Sequence, residues 1–271
     1  MLAFAANSIL CRLALLDGAI GAGSFTFLRL ISGAVVLFIL FKIKHANSQV
    51  NKPSNLKVKI ASALMLFSYA VTFSFAYISI ATGTGALILF ASVQISMIVV
   101  HIFKGNKISK IEYLGIAVSL FGFAYLLLPN ATRPDLYSTL LMIISGISWA
   151  VFTLLGKQSN SAILSISESF VGASILAMGL SPWLLDFQQI TAEGAGLAIL
   201  SGAVASGGGY TIWYFVLPRI SVLKASIVQL SVPALAIIGG AGLLNEPITL
   251  SLIVSTLLIL GGITLVFVAK K

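Results

Sequence analysis

Charge is scarce in this 271-residue chain: Asp, Glu, Lys and Arg together make up 8% of it, against roughly 25% in a soluble domain. A soluble fold of this length needs a charged outer surface, and so small a share cannot supply one. Cysteine is limited to Cys11, which excludes an internal disulfide and a cysteine-built metal site. Histidine occurs only as His45 and His101, far apart and in no HExxH pattern. No two acids are paired within an apolar run either, so the groups an integral-membrane enzyme needs are lacking, and no cofactor or metal is expected. The net charge of +9 invites a nucleic-acid partner, but the basic residues sit in short gaps between apolar runs rather than along a face or tail. A nucleic-acid partner is therefore excluded.

What fills the chain is ten apolar runs, each near the ~20 helical residues that cross a bilayer core about 30 Å thick. The pattern predicts an all-α integral membrane protein with helices over 1–16, 24–41, 60–80, 84–103, 112–128, 136–156, 163–185, 194–217, 220–244 and 248–269. Asp17-Gly18, Lys52-Pro53-Ser54, Lys104-Gly105-Asn106, Pro129-Asn130, Ser159-Asn160 and Asn245-Glu246-Pro247 punctuate the breaks. The first run is short at its start, as though the natural chain began a few residues earlier or this helix were tilted. It has neither the basic n-region nor the cleavage site of a secretory signal, and reads as a membrane helix.

Orientation follows from the asymmetry of charge. With the amino terminus cytoplasmic, the inward gaps and the carboxyl terminus collect Lys42, Lys44, Lys52, Lys57, Lys59, Lys104, Lys107, Lys110, Lys157, Arg219, Lys224, Lys270 and Lys271, whereas Arg133 lies outward. Asp17, Asp135, Asp186, Glu193 and Glu246 all fall outward. The positive-inside rule then places both termini in the cytoplasm and the chain in the cytoplasmic (inner) membrane.

The halves resemble each other. One offset of 139 residues pairs Gly33-Ala34 with Gly172-Ala173, Ala86 with Ala225, Ser92-Val93 with Ser231-Val232, Asn106 with Asn245 and Gly122 with Gly261. Phe4, Ser8 and Arg12 align instead with Trp149, Thr153 and Lys157, at an offset of 145. Because each half holds five helices, the second enters the membrane from the opposite side, and Lys107 faces inward where Glu246 faces outward. Two inverted five-helix repeats, 1–128 and 136–269, are the mark of an alternating-access carrier with its site near the midplane.

The order of small clusters along the chain resembles the EamA-type members of the drug/metabolite transporter superfamily. In the second half these are Tyr210-Thr211-Ile212-Trp213-Tyr214, Leu217-Pro218-Arg219, Ala225-Ser226, Gln229-Leu230, Val232-Pro233 and Asn245-Glu246-Pro247. In the first half Phe4-Ala5-Ala6-Asn7, Arg12-Leu13-Ala14-Leu15 and Phe27-Leu28-Arg29 are similar to the family's opening. The resemblance spans nearly the whole chain. It implies a central cavity lined by helices 1, 3, 4, 6, 8 and 9, and movement of small metabolites, commonly outward. Lys107 departs from the pattern, standing where family members often carry an acid.

Side chains three and four apart share a helix face, so polar stripes mark surfaces turned from lipid. Helix 6 carries Ser145, Ser148, Trp149, Phe152 and Thr153, and helix 1 carries Phe4, Asn7, Ser8 and Cys11. Helix 3 offers Met65, Tyr69, Thr72 and Ala76, and helix 4 offers Phe90, Gln94, Met97 and His101. Asn7, Tyr69, Thr72, Gln94, Ser145, Trp149, Tyr210, Gln229 and Pro233 form the substrate-binding set. Trp149 is the first choice for an aromatic wall, and Pro233 for a mid-helix bend that frees the carbonyl of Gln229. Helix–helix hydrogen bonding is the plain alternative at each polar position. Trp213 and Tyr214 read as interfacial anchors beside Arg219.

Arg29 and Glu168 occupy equivalent positions, but topology puts them at opposite ends, each reaching its own interface. Arg12 reads as a lure for an anionic group or a partner of Asp17. Glu168 and His101 are the ionisable candidates for proton coupling, and both sit near helix ends, which argues against strong coupling. The expected function is a secondary transporter, an exporter of small metabolites, with the lipid bilayer and a small-molecule substrate as partners. A membrane assembly or scaffold protein and an integral-membrane enzyme are the alternatives. The sequence leaves oligomeric state open.

Overall fold

A computed structural model describes residues 1–44, 55–103, 109–127, 134–156, 162–186, 189–216, 219, 228–229 and 231–268. The gap residues Lys52, Lys104, Asn106, Lys107, Arg133, Lys157, Pro218, Lys224, Ala225, Ser226, Leu230, Lys270 and Lys271, and the side chain of His101, lie outside the described residues.

The helices are α1 (Leu2–Leu16), α2 (Ala22–Lys44), α3 (Leu56–Ala76), α4 (Thr82–Phe103), α5 (Lys110–Leu127), α6 (Leu136–Gly156) and α7 (Ala162–Gly179). They continue with α8 (Ala192–Val216), α9 (Ser231–Leu244) and α10 (Leu250–Val268). By length and composition α2, α3, α4, α6 and α8 can each cross a membrane. The described part of α1 is 15 residues and that of α9 is 14, both short of a full crossing.

Local chemistry explains the ends. Asn55 caps α3 by accepting from the Lys57 amide, so this helix starts at Leu56 and takes in Lys57 and Lys59, which the apolar pattern alone excludes. Ser109 and Glu112 form a capping box at α5, the Glu112 carboxylate accepting from the Ser109 amide at 2.6 Å. Asp135 caps α6 by accepting from the Ser138 amide at 2.8 Å, which holds its pKa below the ordinary carboxylate value. A helix over 163–185 is not what forms: α7 stops at Gly179, and Pro182 opens a separate turn over Ser181–Leu184, because proline cannot donate to the preceding turn.

The molecule is inside out relative to a soluble protein. Ile212, Ile238, Leu257 and Val204 are well exposed, whereas Asn7, Arg29, Gln94 and Gln229 are buried. Apolar side chains outward and polar ones inward is the arrangement hydrocarbon demands. This is a multi-pass membrane protein.

The large helix–helix contacts are exchange-symmetric. Helices α2 and α7 pack together, as do α4 and α9, and α5 and α10. The remaining large contacts come in matched sets: α3–α6 with α8–α1, α3–α7 with α8–α2, and α4–α6 with α9–α1. Moving every helix five places along the chain leaves this list of partners unchanged. Close approach between α5 and α10 depends on Gly115 and Gly262, where an added Cβ on either would meet the other's backbone carbonyl. Gly262→Leu should therefore separate the two helices and lower the melting temperature in detergent by several degrees, since overpacking costs about 1–3 kcal/mol.

Two ends of the bundle are tied separately. At one end the α1–α2 loop meets the α7–α8 loop, with the Thr191 amide and hydroxyl donating to the Ala19 carbonyl at 2.9 and 2.8 Å. At that end too, Arg12 of α1 reaches both the α3–α4 loop and the α9–α10 loop. The second tie is Lys59 at the start of α3, which donates to Glu168 of α7.

Candidate functional site

Between these ties lies a closed cluster of polar and aromatic side chains. Its centre is Arg29, two turns into α2 and only 2% exposed. The guanidinium donates from Nε to Ser206 Oγ at 3.2 Å, and from Nη2 to the hydroxyls of Tyr69 at 3.1 Å and Tyr210 at 3.2 Å. It also lies over the rings of Tyr69 and Phe73, 5.2 and 4.9 Å from their centroids. Desolvated cation–π contacts of this kind contribute about 2 kcal/mol or more. The expectation that Arg29 reaches an interface is overturned. Three oxygen acceptors and two aromatic faces turn it into the bundle.

Asn7 of α1 extends the network. Its Oδ1 accepts from Ser201 Oγ at 2.7 Å and from Ser206 Oγ at 3.3 Å. Ser206 accepts from Arg29 and so has its proton for Asn7, which turns Oδ1 rather than Nδ2 toward the serines. Both serines come from a π-helical stretch of α8, Ser201–Gly208. A wider turn of this kind re-aims side chains and recurs at functional sites. Gly202 in that stretch packs on α2, where a Cβ would collide with the Arg29 carbonyl and the Ser32 hydroxyl. The sequence signal was Gly207-Gly208-Gly209, which marks the segment but not the π geometry.

Trp149 of α6 forms the wall. Its ring centroid is 5.0 Å from those of Tyr69 and Tyr210, and 5.6 Å from those of Phe4 and Phe152. Phe4 also meets Trp213 edge-on, and Tyr214 meets Phe152. Trp213 and Tyr214 are both buried, which corrects their reading as interfacial anchors: the face of α8 carrying Tyr210 continues inward through them.

Of the nine sequence-predicted residues, Asn7, Tyr69, Trp149 and Tyr210 are joined by these bonds and ring contacts, and Arg29, Ser201 and Ser206 are members outside that set. Ser145 serves the plainer role, donating to the Tyr69 carbonyl at 3.1 Å and tying α6 to α3. Thr72 bonds back to Ser68 of its own helix at 2.8 Å. Gln94 and Gln229 are buried. Pro233 is buried in the first turn of Ser231–Leu244, and the expected bend involves Leu230, outside the described residues.

Arg12 pairs with Glu246 rather than with its expected local partner Asp17. Its Nε lies 3.5 Å from Glu246 Oε1, and its Nη1 donates to the carbonyls of Tyr77 at 2.9 Å and Ile78 at 2.7 Å. Glu246 in turn accepts from the Thr82 amide, at 2.8 Å on Oε2, and from the Thr82 hydroxyl at 3.1 Å, thereby capping α4. Asn245 adopts a left-handed φ of 54°, which turns the chain after α9 so that the next carboxylate faces inward.

With this geometry in view, likeness to known proteins becomes informative. Residues 136–268 match the EamA-like transporter family. An uncharacterised protein of Pseudomonas aeruginosa is 43% identical over 273 residues, covering all of this chain and 92% of its own. The chain belongs to the EamA-like transporter family. The uncharacterized transporter YoaV of Bacillus subtilis is 24% identical over 88% of this chain and 85% of its own. An uncharacterized transporter of Archaeoglobus fulgidus is 27% identical over 61% of this chain and 60% of its own. A solved crystal structure superposes on the whole chain and 98% of its own with a TM-score of 0.70 at 15% identity, a likeness of fold alone. This EamA-family chain is a membrane transporter by descent, with its polar cluster enclosed by helices from both halves.

Proposed function

We propose that this EamA-family protein exports a small metabolite across the cytoplasmic membrane by alternating access between two inverted repeats, 1–128 and 136–269. The observation that carries the reading is the exchange-symmetric helix pairing around a closed polar cluster. Each half contributes to the cluster: Asn7, Arg29 and Tyr69 from the first, Trp149, Ser206 and Tyr210 from the second. Rocking one half against the other parts these contacts and opens the cluster to one side at a time.

The two ion pairs supply the gates. Arg12–Glu246 joins the halves at one end, and Lys59–Glu168 joins them at the other. Both are formed here, which we read as an occluded state. An inward-open state requires parting one pair while the other holds, and an outward-open state the reverse. The charge asymmetry supports a cytoplasmic position for Lys59 and an outer position for Glu246, with both termini inside.

Purified protein in liposomes is expected to move a solute down its gradient. An uncoupler is expected to leave that flux unchanged, because the acids found in ion pairs sit at the bundle ends rather than in the cluster. Abolition of flux by the uncoupler shows proton coupling and overturns this expectation. Reporter fusions at residues 107 and 246 should report opposite compartments; the same compartment for both sinks the inverted repeat.

A further inference from the structure

The central cluster has donors to spare and no counter-charge. All seven carboxylate side chains of the sequence fall among the described residues, and none bonds to Arg29. Glu246 and Glu168 pair with Arg12 and Lys59, and Glu112 caps α5. Asp17, Asp135, Asp186 and Glu193 are exposed. Among the described residues, Arg29 is therefore a buried cation held by neutral hydroxyls and ring faces. Burying a charge without a counter-ion costs several kcal/mol even after relaxation, and intramembrane cations that persist mark ligand or ion sites.

The unused hydrogen-bonding groups point the same way. Arg29 Nη1, Asn7 Nδ2 and Trp149 Nε1 are buried with no hydrogen-bond partner among the described residues. All three are N–H donors. They belong to one network, since Arg29 and Asn7 share Ser206, and the ring of Trp149 lies against the two tyrosines that bind Arg29. A buried surplus of donors around one cation is complementary to a group that only accepts, which describes an oxyanion.

Resting on the transporter reading, we propose that the cluster binds an organic monoanion, a carboxylate or sulfonate on an apolar body. The oxyanion takes Arg29, displacing the tyrosine hydroxyls from Nη2 and engaging Nη1 as the second tooth of the fork. The apolar body lies against Trp149 and Phe4. One unneutralised cation sets the charge at one.

Three probes of similar size separate the possibilities: p-toluenesulfonate, its neutral sulfonamide, and zwitterionic phenylalanine. Tryptophan fluorescence of the wild-type protein in detergent is expected to report the sulfonate binding at least tenfold more tightly than either of the others. Arg29→Gln should erase that preference and Arg29→Lys should keep part of it. A purely structural Arg29 predicts equal binding of sulfonate and sulfonamide to the wild type, and that result overturns the proposal without reliance on any variant. Tighter binding of phenylalanine overturns it too. Flux in proteoliposomes distinguishes this from failure of the transporter reading, because a permanently charged sulfonate does not cross lipid alone. Selective sulfonate binding with no flux removes the transporter and leaves the anion site standing. Protein-dependent sulfonamide flux, above that of empty liposomes, as fast as the sulfonate flux removes the anion site and leaves the transporter.

Discussion

Replacing Trp149 with alanine is expected to cut solute flux at least tenfold while the protein still reaches the membrane. The ring touches Phe4, Tyr69, Phe152 and Tyr210 at once, so it spaces helices α1, α3 and α8 around the cluster. Its removal leaves a large cavity at the midpoint, and deletions of this kind cost about 3–5 kcal/mol in soluble cores. Part of that loss falls on the occluded state, where all four rings meet, and less on open states, where they part. Trp149→Phe should recover most of the flux, since it refills the space without the indole N–H. The comparison is made by initial rate per reconstituted molecule. Full activity of Trp149→Ala at wild-type rates shows that the cluster is not on the transport path.

Breaking the Arg12–Glu246 tie is expected to unlatch one end of the bundle. Cys11 reports this without any engineering: it is the chain's one cysteine, wholly buried and adjacent to Arg12. Glu246→Gln removes the ion pair while keeping an acceptor for the Thr82 amide. Glu246→Ala removes both, and the lost cap alone costs about 1 kcal/mol. A shift of 1–2 kcal/mol changes a two-state population by roughly 5- to 30-fold. The maleimide labelling rate of Cys11 should therefore rise about tenfold in Glu246→Gln and further in Glu246→Ala. A cleft of about 270 Å³ lies beside Glu246, lined by Ala81, Thr84, Pro247 and Thr249 among others. Exchanging the charges, Arg12→Glu with Glu246→Arg, should return labelling toward wild type. An unchanged rate in Glu246→Gln shows that the carboxylate acts as a helix cap and not as a latch.

The opposite tie behaves differently on the same argument. Lys59 and Glu168 are more exposed than Arg12 and Glu246, with side-chain exposures of 30% and 24% against 13% for each of the other pair. Water screens this more exposed pair of charges more, so Glu168→Gln should leave the melting temperature within a degree or two. Its effect belongs to the balance of open states, read as a change in flux direction preference.

The membrane class, the helical content and the approximate positions of the helices were legible in the sequence, because hydrocarbon imposes one rule on every residue of a crossing segment. Apolar runs near 20 residues and the family's clusters needed no knowledge of neighbours. Trp149, Asn7, Tyr69 and Tyr210 were legible for a related reason: large or polar side chains on one face of an apolar helix have to turn from lipid. Where the prediction missed, the deciding partner was remote in sequence. Arg29 looked like an interface residue until Ser206 and Tyr210, about 180 positions away, supplied its acceptors. Arg12 looked local to Asp17 until the left-handed turn at Asn245 carried Glu246 to it. The π-helical stretch that aims Ser201 and Ser206 left only a run of glycines as its trace. Periodicity tells which face of a helix avoids lipid, since that depends on the helix alone. Which faces meet is a property of the packed bundle, and the bundle alone decided where the buried charge would lie.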